Sequence, residues 1–103
     1  MLISKIIDGD NYELLPVFSV IYDLDKKDNY TFLDHCLRKS GLTPIWKENY
    51  LERIIEFHET AKKLFKSEKV GLIYIVNDHE SDIPLTDYIF QKGDKVDIVY
   101  ISY

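Results

Sequence analysis

A chain that contains the run Val70–Val76, VGLIYIV, has to bury a strand on both of its faces. The run is almost wholly apolar, and such a strand has no side to offer water, so it belongs in the middle of a sheet with material above and below it. A length of 103 residues leaves room for one ordinary domain, residues 1–103, built round a small core. The chain is 46% hydrophobic and 30% charged, with four Gly and three Pro, which argues against disorder, collagen or a disulfide scaffold. It is also too short for a TIM barrel of about 250 residues.

Alternation supplies the other strands. Leu2–Ile7 is a short apolar run closed by Asp8-Gly9-Asp10-Asn11, a tetrad of turn formers. Over Val17–Leu24, Phe18, Val20, Tyr22 and Leu24 share one face, and Ser19 and Asp23 the other, which predicts a strand with Pro16 at its start. The two strands are expected to form a hairpin, and Asp25–Asn29 a polar loop.

Helices follow. Thr31 has the position of an N-cap with Asp34 at N3, and Leu33, Cys36 and Leu37 have the spacing of a buried stripe. Arg38 and Lys39 suit the last turn, and Gly41 with Leu42 suits the closing cap, so a helix is predicted over residues 32–40. After Thr43-Pro44, the spacing of Tyr50, Ile54, Phe57, Ala61 and Leu64 predicts a long helix from Lys47 to Ser67. Glu48, Glu52, Glu56 and Glu59 crowd its first half and Lys62, Lys63, Lys66 and Lys69 its second half and exit, with Glu59 and Lys63 placed to pair. Asn77–Asp82 is an acidic loop, Leu85–Phe90 holds a short strand or a turn, Lys92-Gly93-Asp94 is a tight turn, and Val96–Tyr103 is a closing strand. The order β-β-α-α-β-(β)-β defines an α+β domain: a mixed sheet of four to five strands with two helices on one face.

Two stretches resemble the β-grasp, or ubiquitin-like, superfold. Thr31–Gly41, TFLDHCLRKSG, is similar to the helix after the first hairpin in such domains, particularly the transcobalamin C-terminal-like ones. Tyr74–Tyr100 is similar to their closing pattern, an Asn-containing turn leading to an aromatic residue, a Gly-Asp turn and a last apolar strand. The helix expected at Lys47–Ser67 departs from the minimal pattern. The resemblance implies no carrier role, because modifiers and sulfur carriers need a C-terminal Gly-Gly and this sequence closes Val99-Tyr100-Ile101-Ser102-Tyr103. Ferredoxin-type members need four Cys, against the single Cys36 here. The transcobalamin-like members suggest contact with a small ligand, which would sit between the long helix and the sheet near Trp46 and His58.

Little else points to chemistry. His35 and Cys36 are neighbours on a helix and so do not face each other, which favours a structural thiol over a nucleophile. Asp78-His79-Glu80-Ser81-Asp82 offers metal donors, with Asp8-Gly9-Asp10 as a conjectural partner, but a solvated acidic loop is the simpler account. Asp23–Asp28 lacks the Gly and Glu of an EF-hand loop. His58 flanks the apolar stripe, and the four Glu of the long helix are explained by its dipole. There is no phosphate-binding Gly-rich loop, no G-x-S-x-G, no H-E-x-x-H and no C-x-x-C. The expectation is a protein that is not an enzyme and uses neither cofactor nor metal.

Charge is the informative feature. Thirteen Lys and Arg stand against eighteen Asp and Glu, for a net charge of −5, which disfavours nucleic-acid partners. Between Lys69 and Lys92 there is no Lys or Arg, while Asp78, Glu80, Asp82 and Asp87 are negative. In residues 1–25 Lys5 alone opposes Asp8, Asp10, Glu13, Asp23 and Asp25. If the segments meet, they form an acidic face carrying Tyr12, Tyr22 and Tyr88, and tyrosine is a residue that interfaces favour. The expected function is a small acidic module that binds a basic protein, of the inhibitor or toxin-neutralising (immunity) kind. Asp78, Glu80, Asp82 and Asp87 would supply charge and Tyr88 an anchor; the alternative is the small-ligand β-grasp domain. A single Cys, the lack of a signal-like apolar stretch before Asp8 and the lack of any bilayer-length run lead to the expectation of a cytoplasmic protein with no membrane partner.

Overall fold

A computed structural model of the chain describes residues 1–23 and 28–103. Leu24 and most of the polar loop expected at Asp25–Asn29 lie outside the described residues.

The chain opens with the expected hairpin, β1 (Ile3–Ile7) and β2 (Asp10–Ile21). Asp8 and Gly9 both take positive φ, 52° and 87°, the backbone that a two-residue turn needs to match the twist of its strands. β2 begins earlier than expected because it pairs with β1 from its first residue. Pro16 therefore sits inside the strand and not at its start; the register shifts between Pro16 and Phe18, and such a bulge accommodates a residue that has no N–H to give.

Helix α1 (Asn29–Lys39) starts three residues before the sequence reading placed it. Asp28 and not Thr31 is the N-cap: its side chain accepts the Thr31 N–H at 2.8 Å. The C-terminal end is as expected. Gly41 has φ +83°, its N–H donates to the Arg38 carbonyl, and the Leu42 N–H donates to the Leu37 carbonyl, both at 3.0 Å, which is the Schellman arrangement.

The long helix expected from Lys47 is the main correction. Residues before Ile55 form a second hairpin, β3 (Pro44–Lys47) and β4 (Tyr50–Ile54), and α2 covers only Ile55–Phe65. The strand runs straight into the helix, with Ile54 in the N-cap position and no capping side chain to punctuate it. Cross-strand pairs such as Trp46 opposite Leu51 use the same apolar residues that a helical stripe would use. Glu56 caps the junction from within: its carboxylate accepts both the N–H and the hydroxyl of Thr43, each at 2.7 Å. Within α2, Glu59 meets Lys62 and not Lys63.

β5 (Val70–Val76) turns through Asn77 and Asp78 into β6 (His79–Glu80), and β7 (Lys95–Ser102) closes the chain. Of the two alternatives for Leu85–Phe90, the structure has the turn, over residues 85–87, with residues 88–90 irregular. The element order is thus β-β-α-β-β-α-β-β-β, an α+β architecture. The main sheet has five strands in the order β1-β2-β7-β5-β6, and every pairing is antiparallel, so the mixed sheet expected from the sequence does not form. The strand order also differs from that of the β-grasp fold. The centre is β7, not the apolar β5.

Apolar residues fill both faces of the sheet. On one, Val96, Ile98 and Tyr100 of β7 meet Leu33 and Leu37 of α1, Leu51 and Ile54 of β4 and Ala61 of α2, so both helices lie on this side. On the other, Ile7, Leu14, Ile75 and Val99 form a cluster with no helix over it among the described residues. The sheet covers that cluster by curling until the β1–β2 hairpin touches the β5–β6 hairpin. Lys5 reaches Asp78 at 2.8 Å; Asp8 accepts from the His79 ring at 2.6 Å and from the Glu80 N–H at 2.9 Å; the Tyr12 hydroxyl donates to Glu80. Among the described residues no helix is long and apolar enough to cross a membrane.

Candidate functional site

The site begins where β6 stops. That strand pairs only with Ile75 and Val76, so Val70–Tyr74 has β7 on one side and, among the described residues, no paired strand on the other. Residues 81–85 and the tip of the β3–β4 hairpin close round the gap without filling it. The result is a cavity of about 270 Å³ walled by Leu51, Leu72, Ile83, Pro84, Leu85 and Ile98, with Asn49, Tyr50, Tyr74, Ser81 and Asp82 among its polar and aromatic lining.

Hydrogen bonds fix this loop in place. The N–H and hydroxyl of Thr86 both donate to the Asn49 carbonyl, at 3.3 and 3.2 Å, and the Asn49 amide donates to Asp87 at 3.3 Å. The Tyr74 hydroxyl donates to the Ile83 carbonyl. From below, the buried Asn29 side chain donates to the carbonyls of Leu85 and Tyr88, at 3.1 and 2.6 Å, while accepting from the Tyr22 hydroxyl. An amide with all its neighbours satisfied is how a buried polar group avoids its desolvation cost. Sequence reasoning left Asn29 in a polar loop; its role depends on partners 56 and 59 residues away.

The five residues expected to bind a partner divide into three environments. Asp78 and Glu80 are spent on closing the sheet, against Lys5 and against Tyr12 and Asp8. Asp82 and Asp87 are exposed; Asp82 lines the cavity, and Asp87 accepts a hydrogen bond from Asn49, which lines it too. Neither makes a salt bridge among the described residues. Tyr88 is half-buried, its ring packed 4.6 Å from Phe90 and 5.8 Å from Tyr74. Tyr22 is buried, at 3% exposure, whereas Tyr50, at 43%, is the tyrosine the cavity offers to solvent.

The segments expected to meet do so, but through the closing contacts. Lys5 holds the Asp78 carboxyl below the usual range, and the His79 and Glu80 hydrogen bonds do the same for Asp8. Glu80 pushes the Tyr12 phenol up to about 12. On the cavity side, burial raises the Tyr74 phenol, and the neighbouring charges of Asp82 and Asp87 add to it.

The other candidates are structural. Burial pushes the half-buried Cys36 thiol up, away from thiolate chemistry, and His35 is exposed beside it. His58 Nδ1 lies 3.1 Å from the Tyr100 hydroxyl, which also accepts the Ile54 N–H at 3.0 Å; burial and then Arg53 and Lys62 hold the imidazole below its usual range. Trp46 donates to Asp34 and packs on Tyr30, and does not share a cavity with His58. Among the described residues no three or more His, Cys, Asp or Glu side chains converge on a point that could hold a metal ion. Comparison with known protein families, with curated proteins and with solved structures finds no match.

Proposed function

We propose that this chain is a non-enzymatic protein-binding module that docks a basic partner on the cavity side of β5. The observation that carries the reading is the pair Asp82 and Asp87: two exposed carboxylates beside an apolar cavity, with no cation paired to them among the described residues. Uncompensated charge at the rim of an apolar patch steers encounter, and the patch supplies the burial. The net charge of −5 adds a long-range attraction for basic surfaces and repels nucleic acid. Blocking a basic partner's surface sterically, as inhibitors and immunity proteins do, needs nothing more of a domain this size.

The test is kinetic. A protein captured from the native cell is expected to associate more slowly as salt rises, and more slowly still with Asp82→Lys combined with Asp87→Lys. An on-rate indifferent to both changes overturns the reading. The cavity also supports a second one, a small-ligand-binding domain, with its ligand beside Leu72 and Pro84 and not near Trp46 and His58. Copurification of an organic ligand that protects this cavity would favour it.

A further inference from the structure

We infer that the cavity beside β5 is the receptacle for a single arginine side chain of the bound partner. The inference rests on the proposed docking of a basic protein and adds the residue that anchors it.

Size comes first. Pockets for whole small molecules run from about 300 to 1,000 Å³. At about 270 Å³ this cavity lies at the low end of that scale and has room for one long side chain. The lining is graded in the way an arginine is graded. Leu51, Leu72, Leu85 and Ile98 form an apolar wall for a methylene stem, and Asp82 stands with Asp87 nearby for a charged head. A guanidinium is planar, pairs with carboxylates through two parallel hydrogen bonds and stacks on aromatic faces, and Tyr50 offers a half-exposed ring at the same place. Partly buried arginines of this kind are enriched among the residues that dominate interface energies.

Among the described residues, the other grooves lack an unpaired carboxylate. In the groove on the curled face, Lys5 is paired with Asp78 and Lys95 with Asp97. In the groove beside α2, Arg53 is paired with Glu52, and Lys62 with Glu59 and Glu68.

The probe is N-acetyl-arginine methylamide, titrated into the isotopically labelled protein and followed by NMR, with the citrulline analogue as an uncharged match. Saturable shifts are expected at Tyr50, Leu72 and Ile83 at millimolar arginine, at least tenfold weaker binding with citrulline, and loss of the shifts in Asp82→Asn combined with Asp87→Asn. Equal binding of citrulline, shifts confined to the Asp8–Glu80 contacts, or no shifts at all would overturn the arginine site. If the arginine site fails while charge reversal still slows association with the captured partner, the proposed docking surface survives without this anchor. If association ignores the charge reversal, the docking surface itself falls.

Discussion

Two pairs of carboxylates, separated by a few residues of one loop, have opposite situations. Asp78 and Glu80 are tied to Lys5, Tyr12 and the N–H side of Asp8's contacts, and they hold the sheet's two edges together over the Ile7, Leu14, Ile75 and Val99 cluster. Asp82 and Asp87 hold nothing of comparable weight; the donors that reach Asp87 are neutral. The sequence presents all four as one acidic run. What separates them is the end of β6: up to Glu80 the chain is paired and its side chains face the neighbouring hairpin, and beyond it the chain crosses open space over Leu72 and Tyr74. Acidity alone therefore says little about role, and the partner each carboxylate finds decides it.

The sharpest way to break that comparison is at the floor of the cavity, where the open side becomes core. Leu85 is 4% exposed and contributes both to the cavity wall and to the main apolar cluster. Leu85→Ala is expected to cost roughly 2–5 kcal/mol of stability, the range for truncating a buried leucine, measured by denaturant unfolding. A cost below about 1 kcal/mol would mean that the floor is loosely packed and that the cavity is a gap without a built wall.

The closing contacts should respond to acid, and less strongly. Asp8 and Asp78 both titrate below the ordinary carboxylate value of about 3.9. A carboxyl whose folded-state pKa is depressed contributes stability that is present above its unfolded value and is lost as pH falls through its folded one. Lys5, His79, Asp10, Tyr12, Glu80 and Lys95 are the groups that face this pair. The melting temperature should therefore drop on acidification below about pH 4. In Asp8→Asn combined with Asp78→Asn it should start lower at neutral pH and fall less. The asparagine keeps the φ of +52° at position 8 accessible, so the comparison isolates charge. Equal acid slopes for the two proteins would remove the distinction between tied and free carboxylates.

Much of this architecture could be read from local chemistry, and the rest could not for a physical reason. The Asp8-Gly9 turn, the Gly41-Leu42 cap and the apolar run of β5 depend on neighbours within a few residues. The β3–β4 hairpin does not announce itself: Tyr50 and Ile54 are four apart, Ile54 carries no capping side chain, and α2 ends at Lys66 in a left-handed conformation without a glycine. Propensity and spacing there favour a helix, and packing against Tyr100, whose hydroxyl takes up the Ile54 N–H, decides for a strand. The site shows the same division. Asp82 and Asp87 stand out in the sequence by charge. Asn29, which holds their loop, and Tyr50, which borders their cavity, come from segments that only the folded chain brings near.

The smallest expected effect is the most telling about function. Asp82→Asn combined with Asp87→Asn should leave stability within about 0.5 kcal/mol of the parent, because exposed side chains without ionic partners contribute little to folding. The sign should be neutral or slightly stabilising, since the net charge of −5 is reduced. The same pair of changes made at Asp78 and Glu80 should lower the melting temperature, since it weakens contacts that close the sheet. A clear loss of stability from the Asp82 and Asp87 changes would show that these carboxylates serve the fold after all. The cavity mouth would then be a second set of closing contacts and not a surface kept free for a partner.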